Sequence, residues 1–257
     1  MKYVVCIKQV PDTAARLTVE GGRVKWGDAP LVMNPWDEFA VEAALLQKEA
    51  RGGDVTAITV GGEGAKEALK TALAMGCSEA ILVSDPALDN IDGQAAARVL
   101  AAAIQKVGGV DIAFFGRQAV DGDMGVTAAM TARVLGWPVL SLVSVIHSVE
   151  DGAVKVEKGL EEGKQVVEAQ LPAVISVSKD IGEPRYPSFM GIRKASRANI
   201  PVWTLSDLGI PAPKPVVRWP EVMPPPAREV KTEMVTGANP QEIAENLVDK
   251  ILAEKVL

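Results

Sequence analysis

The 257-residue chain is 48% hydrophobic and carries 27 Lys and Arg against 33 Asp and Glu, a net charge of −6. That composition excludes a disordered chain, and a negative balance with 4% aromatic residues argues against nucleic acid or an anionic membrane as main partner. No apolar run approaches the about 18 residues of a spanning helix, and Lys8 interrupts the first run, so a soluble, intracellular protein without membrane insertion is expected, cytoplasmic if the source is prokaryotic.

The first 140 residues alternate short apolar runs with amphipathic ones. Strands are predicted over Tyr3–Lys8, Val55–Val60, Ala80–Val83 and Ile112–Phe115. Helices are predicted over Trp36–Arg51, Ala65–Met75, Gly93–Val107 and Val126–Leu135. Strands that are apolar throughout belong to a parallel sheet covered on both faces, and right-handed crossovers then give a doubly wound, Rossmann-like α/β domain. Asn34-Pro35 reads as an N-cap followed by proline at the first helical position, with Asp37 and Glu38 at the positive end of the dipole.

After Pro138 the texture becomes β-rich, with Asp151-Gly152 and Gly163 as turn signals. Residues 139–178 are expected to extend the sheet with antiparallel strands. Seven prolines between Pro211 and Pro226 preclude regular helix and favour an extended arm. The closing NPQEIAENLVDKILAEKVL puts Ile243, Leu247, Ile251 and Leu252 on one helical face, suited either to docking or to packing back on its own domain.

Catalytic machinery is sparse. His147 is the one histidine, placed in a strand, and the two cysteines form neither a disulfide framework nor a zinc pattern. Binding loops are better represented. Lys8–Asp12, Gly61–Ala65, Ser84–Asp89 and Gly116–Gly125 follow strands and converge at the carboxyl edge of such a sheet, where ligands sit. In DGDMGVTA, Gly122 and Gly125 permit unusual backbone angles. The amides of Gly125, Val126 and Thr127 open a helix and make an anion site, to which the Thr127 hydroxyl adds a hydrogen bond. Asp121 and Asp123 either cap the loop, meet ribose hydroxyls or coordinate a cation.

Further motifs carry a resemblance. Glu162-Gly163, Glu168, Leu171-Pro172-Ala173-Val174 and Pro184-Arg185-Tyr186-Pro187, with MNPWDEFAVEAA (33–44), KTALAMG (70–76) and GRQAVDGDMGVTAAMTARVLGWP (116–138), resemble electron transfer flavoprotein β subunits. The resemblance runs in order along nearly the whole chain. It implies a heterodimer with an α subunit that carries the redox FAD, and an electron carrier rather than an enzyme with its own turnover. Residues 1–204 are then a nucleotide-binding α/β domain, and 205–257 an arm and helix that dock on the α subunit. Ordinary members hold AMP in this subunit, and bifurcating members hold a second FAD.

The resemblance places the AMP phosphate on Gly125, Val126 and Thr127, with Asp121 and Asp123 preceding them. Val5, Cys6, Ile7, Lys8, Asn34, Gly61, Gly62 and Ala65 match other strand-end elements around the nucleotide. Thr127 before Ala128-Ala129, without the Val-Gly-Pro of bifurcating relatives, favours AMP. Trp36 replaces a phenylalanine that faces the flavin, and Thr13 a tyrosine that approaches it in some members. Phe189 stands where the recognition segment has a leucine anchor. With Ile192, Arg193, Lys194 and Arg197 it implies docking to acyl-CoA dehydrogenases, and onward transfer to a membrane quinone oxidoreductase.

Overall fold

Strand β1 (Lys2–Cys6) is apolar on both sides and runs through the middle of a large sheet. Two small hairpins follow it: β2 (Gln9–Pro11) pairs with β5 (Leu31–Met33), and β3 (Thr18–Glu20) with β4 (Arg23–Lys25). Helix α1 (Pro35–Arg51) leads to β6 (Asp54–Val60), α2 (Lys66–Met75), β7 (Glu79–Val83), α3 (Gly93–Val107), β8 (Ile112–Phe115) and α4 (Thr127–Leu135). Then come β9 (Val139–Glu150), β10 (Ala153–Leu160), β11 (Gly163–Gln170) and β12 (Ala173–Val177). Helix α5 (Phe189–Ala195), β13 (Val202–Trp203), α6 (Leu205–Leu208) and α7 (Pro240–Ala253) complete the series. In this computed structural model residues 1–217, 219–224, 226 and 232–255 are described. Arg218 and Pro225 of the proline-rich segment, and Val256 and Leu257 after the last helix, lie outside them.

The sheet order is β11-β10-β9-β12-β8-β1-β6-β7-β13. From β9 to β13 every neighbouring pair is parallel, and only β10 and β11 are joined antiparallel. The fold is thus α/β with a mainly parallel sheet and an antiparallel extension. The expectation that residues 139–178 are all antiparallel is corrected: β12 inserts between β8 and β9 and runs with both. Its five residues are buried throughout, which suits a parallel interior strand, whereas no residue of the edge strand β11 is fully buried. Between β9 and β10, Asp151 and Gly152 both take positive φ, as a two-residue hairpin turn requires.

Alternation along β1 divides the core. Tyr3 and Val5 pack in the layer that contains residues of α1 and α2, and Val4 and Cys6 in the layer that contains residues of α3 and α4. The chain divides into two units, Met1–Val222 and Met223–Leu257. In the first, the described residues between Ile210 and Val222 form neither helix nor strand. In the second, the Asn239 side chain caps α7 by accepting the Glu242 N–H at 2.9 Å, and Ile243, Leu247 and Leu252 are exposed. No helix among the described residues is long and apolar enough to cross a membrane.

Candidate functional site

Strands β6 and β8 flank β1, and the connections after them leave in opposite directions along the sheet. At the carboxyl end of such a switch point the chain parts and leaves a crevice. Here it is a cleft of about 370 Å³, lined by Cys6, Ile7 and Lys8 after β1, by Leu88, Ile91, Asp92 and Gly93 before α3, and by the loop after β8 up to Ala128.

The start of α1 holds the two main walls together. Asn34 is fully buried, and its side chain makes no cap bond to its own helix, so the expected N-capping is not made. Its Nδ2 instead donates to the Gln118 carbonyl at 2.8 Å, and its Oδ1 accepts the Val120 N–H at 3.1 Å. One turn on, buried Asp37 accepts the Lys8 N–H at 2.7 Å. Burial raises the Asp37 carboxyl to about 7, against the opposing pull of Asn34 and of the Lys8 and Gly116 amides. Gly116 is obligatory at this junction. A Cβ there would strike Asp37 Oδ1 and lie 2.6 Å from the Trp36 carbonyl oxygen.

The loop after β8 is folded by its own acidic residues. Lys8 Nζ pairs with Asp121 at 2.7 Å, joining the first and fourth strand-end loops, and Gln118 Nε2 donates to Asp123. Both aspartates therefore have protein partners, and among the described residues no group of three or more potential ligands is arranged for a metal ion. The unusual backbone angles fall on Asp123 (φ 52°) and Gly125 (φ 63°) rather than on Gly122.

Helix α4 then opens with no side-chain cap, its first residues Thr127 and Ala128 lining the cleft. The amides of an uncapped first turn carry partial positive charge and lack intrahelical partners. A Cβ on Gly93, the first residue of α3, would sit 3.9 Å from Thr127 Oγ1, so two helix N-termini meet at one place. Asp92 caps α3 by accepting the Ala95 N–H at 2.8 Å. Leu88, Ile91, Leu100 and Phe115 add apolar wall. This donor set fits a ligand with an anionic group and a large apolar body.

Of the residues singled out in the sequence, Cys6, Ile7, Lys8, Asp123, Gly125 and Thr127 line this cleft. Val126 is the N-cap residue of α4, and Asn34 and Asp121 act on the loop as described. The side chain of Val5 packs in the other core layer, as does Ala65, while Gly61 and Gly62 lie at the end of β6 outside the cleft lining. Trp36 stacks with the Arg117 guanidinium, 5.5 Å from its ring, and Thr13 is exposed in the turn after β2. His147 faces Glu157 in the β9–β10 pair. Sequence reasoning missed Asp92, whose position directly before an alanine-rich helix was a readable cap signal. It also gave Asp37 only a dipole role.

The recognition stretch forms α5, capped by Ser188, whose hydroxyl accepts the Gly191 N–H at 2.9 Å. Phe189 is 80% exposed, and Met190, Ile192, Arg193, Lys194 and Arg197 are exposed beside it. Arg185 anchors the approach to this helix. Its Nε and Nη2 donate to the two carboxylate oxygens of buried Glu42 at 2.7 and 2.9 Å, and the guanidinium also reaches Glu49.

Fold and cleft together define a doubly wound α/β protein with a ligand crevice at its switch point. Residues 27–208 match the electron transfer flavoprotein domain. The chain is 36% identical, over all of both chains, to the Caffeyl-CoA reductase-Etf complex subunit CarD of Acetobacterium woodii. It is 34% identical to the electron transfer flavoprotein subunit beta of Megasphaera elsdenii, again over all of both chains. With the corresponding subunit of Bacillus subtilis it shares 32% over 99% of this chain and 98% of that one. The chain belongs to the electron transfer flavoprotein β-subunit family, and its role is in flavin-linked electron transfer.

Proposed function

We propose that this chain pairs with an electron transfer flavoprotein α subunit, and that its cleft holds AMP while the FAD sits mainly in the partner. The observation that carries the reading is the meeting of the α3 and α4 N-termini at Thr127, inside a cleft of about 370 Å³. That volume lies near the lower end of the roughly 300–1,000 Å³ typical of small-ligand sites, which suits a mononucleotide. In this reading the amides of Gly125, Val126 and Thr127 take the phosphate. Asp121 and Asp123 shape the loop, Lys8 balances their charge, and Asn34 holds the loop in place. Val5, Gly61, Gly62 and Ala65 support the strand ends around it.

Trp36 and Thr13 are assigned to the side that meets the partner's flavin. When bound, the flavin supplies the redox chemistry, and this chain binds and orients without acid–base residues of its own. Residues 205–257, with the uncovered apolar face of α7, dock on the α subunit. The surface of Phe189, Ile192, Arg193, Lys194 and Arg197 receives acyl-CoA dehydrogenases: an apolar anchor with a charged rim suits a transient partner. A membrane quinone oxidoreductase takes the electrons onward.

A second reading puts FAD in the same cleft, in a bifurcating complex. It is favoured by the full-length match to a subunit named for a caffeyl-CoA reductase-Etf complex. The test is to denature the purified heterodimer and to identify and count the nucleotides released. One FAD and one AMP per heterodimer are expected; two FAD molecules establish the second reading, and no nucleotide beyond a single FAD removes both.

A further inference from the structure

The cleft has one wall that comes from far along the chain. Val217 and Trp219, of the proline-rich segment, line it together with the strand-end loops. The backbone just before Trp219 is held by one carboxylate. Asp92 Oδ1 accepts the Ala95 N–H and so caps α3, while Oδ2 accepts the N–H groups of Val216 at 2.6 Å and Val217 at 2.8 Å. Burial pushes the Asp92 carboxyl up, but the backbone amides of Ala95, Val217, Val216 and Gln94 together hold it below the usual range, so it stays ionised at neutral pH. A single side chain thus joins the helix terminus at the mouth of the cleft to the backbone that crosses it.

Nothing in the packing of this segment itself requires that position. Trp219 is 73% exposed although it lines the cleft, so most of the indole surface is uncovered, and its neighbours in the segment are themselves exposed. Unsupported extended chain loses its ordering entropy without compensation, and here the two charge-assisted hydrogen bonds to Asp92 offset part of it.

Resting on the AMP reading above, we propose that Trp219 and Val217 are part of the nucleotide site and that Asp92 is their positioning residue. Trp219 provides the aromatic surface for the base, and Asp92 sets how long that surface stays closed. By linkage, the bound nucleotide holds the segment as firmly as the segment holds the nucleotide.

The test uses the purified heterodimer and follows exchange of bound AMP against isotope-labelled AMP. Trp219→Ala is expected to speed exchange about tenfold, a step of about 1.4 kcal/mol, and Trp219→Phe to restore it to near the wild-type rate. Asp92→Asn keeps an equally good helix cap but replaces the acceptor of the Val216 and Val217 amides by a donor. It is expected to match Trp219→Ala in exchange while hydrogen exchange at Val216 and Val217 rises. If AMP is bound but all three variants exchange it as the wild type does, the inference fails and the AMP reading stands. If Trp219→Phe is as fast as Trp219→Ala, an aromatic wall is wrong. If the heterodimer holds no AMP, both readings fall.

Discussion

The cleft and the α5 surface use charge in opposite ways. Along the cleft wall, carboxylates hold backbone: Asp37 takes the Lys8 amide and Asp92 the Ala95, Val216 and Val217 amides, while at the more exposed loop Asp121 is matched by Lys8. Around α5 a charge pair lies beneath the surface, Arg185 on Glu42, and an apolar group of Tyr186, Phe189, Met190 and Ile192 faces solvent beside the exposed Arg193, Lys194 and Arg197. In the function proposed above, the first arrangement shapes a hollow for a retained nucleotide, and the second a platform for a transient partner.

The sharpest way to break the platform is from below. Arg185→Ala leaves the Glu42 carboxylate, 7% exposed, without its partner. Loss of a buried partner costs about 3–5 kcal/mol, and the partial exposure of Arg185 puts this case at about 3 kcal/mol in urea unfolding. Reduction by an acyl-CoA dehydrogenase is expected to slow at the same time. Glu42→Gln is milder because a hydrogen-bond acceptor remains.

Gly116→Ala attacks the cleft in the same sense. The added methyl collides with Asp37 and with the Trp36 carbonyl, so β8 and α1 must separate, at about 2 kcal/mol by thermal or urea unfolding. Nucleotide retention is expected to fall with it. If Gly116→Ala weakens unfolding resistance but leaves retention intact, the α1 junction does not govern the cleft.

Acid behaviour separates the two regions further. A carboxyl raised to about 7 in the folded chain binds its proton more tightly there than when unfolded. Its contribution is complete below an ordinary carboxylate pKa of about 4 and is lost as pH rises toward about 7, with a slope of at most about 1.4 kcal/mol per pH unit. Comparing wild type with Asp37→Asn by urea unfolding between about pH 4 and 8 isolates it. The variant is expected to lose this downward slope; an unchanged slope means Asp37 is not its source.

The smallest effect on stability belongs to Phe189→Ala, within about 0.5 kcal/mol, because the side chain is 80% exposed. Electron transfer from an acyl-CoA dehydrogenase is expected to slow nonetheless. If that rate is unchanged in the folded variant, α5 is not the docking surface.

Much of this was readable from residues alone. The continuous apolar runs of β1, β6, β7 and β8, and the stripes of α2 and α3, announce themselves because burial on both faces leaves no alternation to misread. The crevice between the first and fourth strand-end loops follows from that topology. The hairpins β2–β5 and β3–β4 were not legible, since three-residue strands carry too short a pattern. Nor was α5, a seven-residue helix that starts two residues after Pro187, contains Gly191 and depends on its packing. The insertion of β12, the loop-holding role of Asn34 and the grip of Asp92 on Val216 all depend on residues far apart in the chain. Asn34 in particular shows local propensity yielding to tertiary demand: a residue suited to capping gives both ends of its amide to another loop.

Gly191 has a further consequence. A Cβ on it would run into the Ala74 carbonyl of α2, so at this point α5 lies flush against its neighbour with no side chain between them. The inner face of α5 is therefore closed to variation at that point, while Phe189, Met190 and Ile192 point away from any such restriction. With α5 as the docking surface proposed above, partner choice becomes a separable property: those outward side chains can be exchanged for another electron donor while the scaffold beneath is left unchanged.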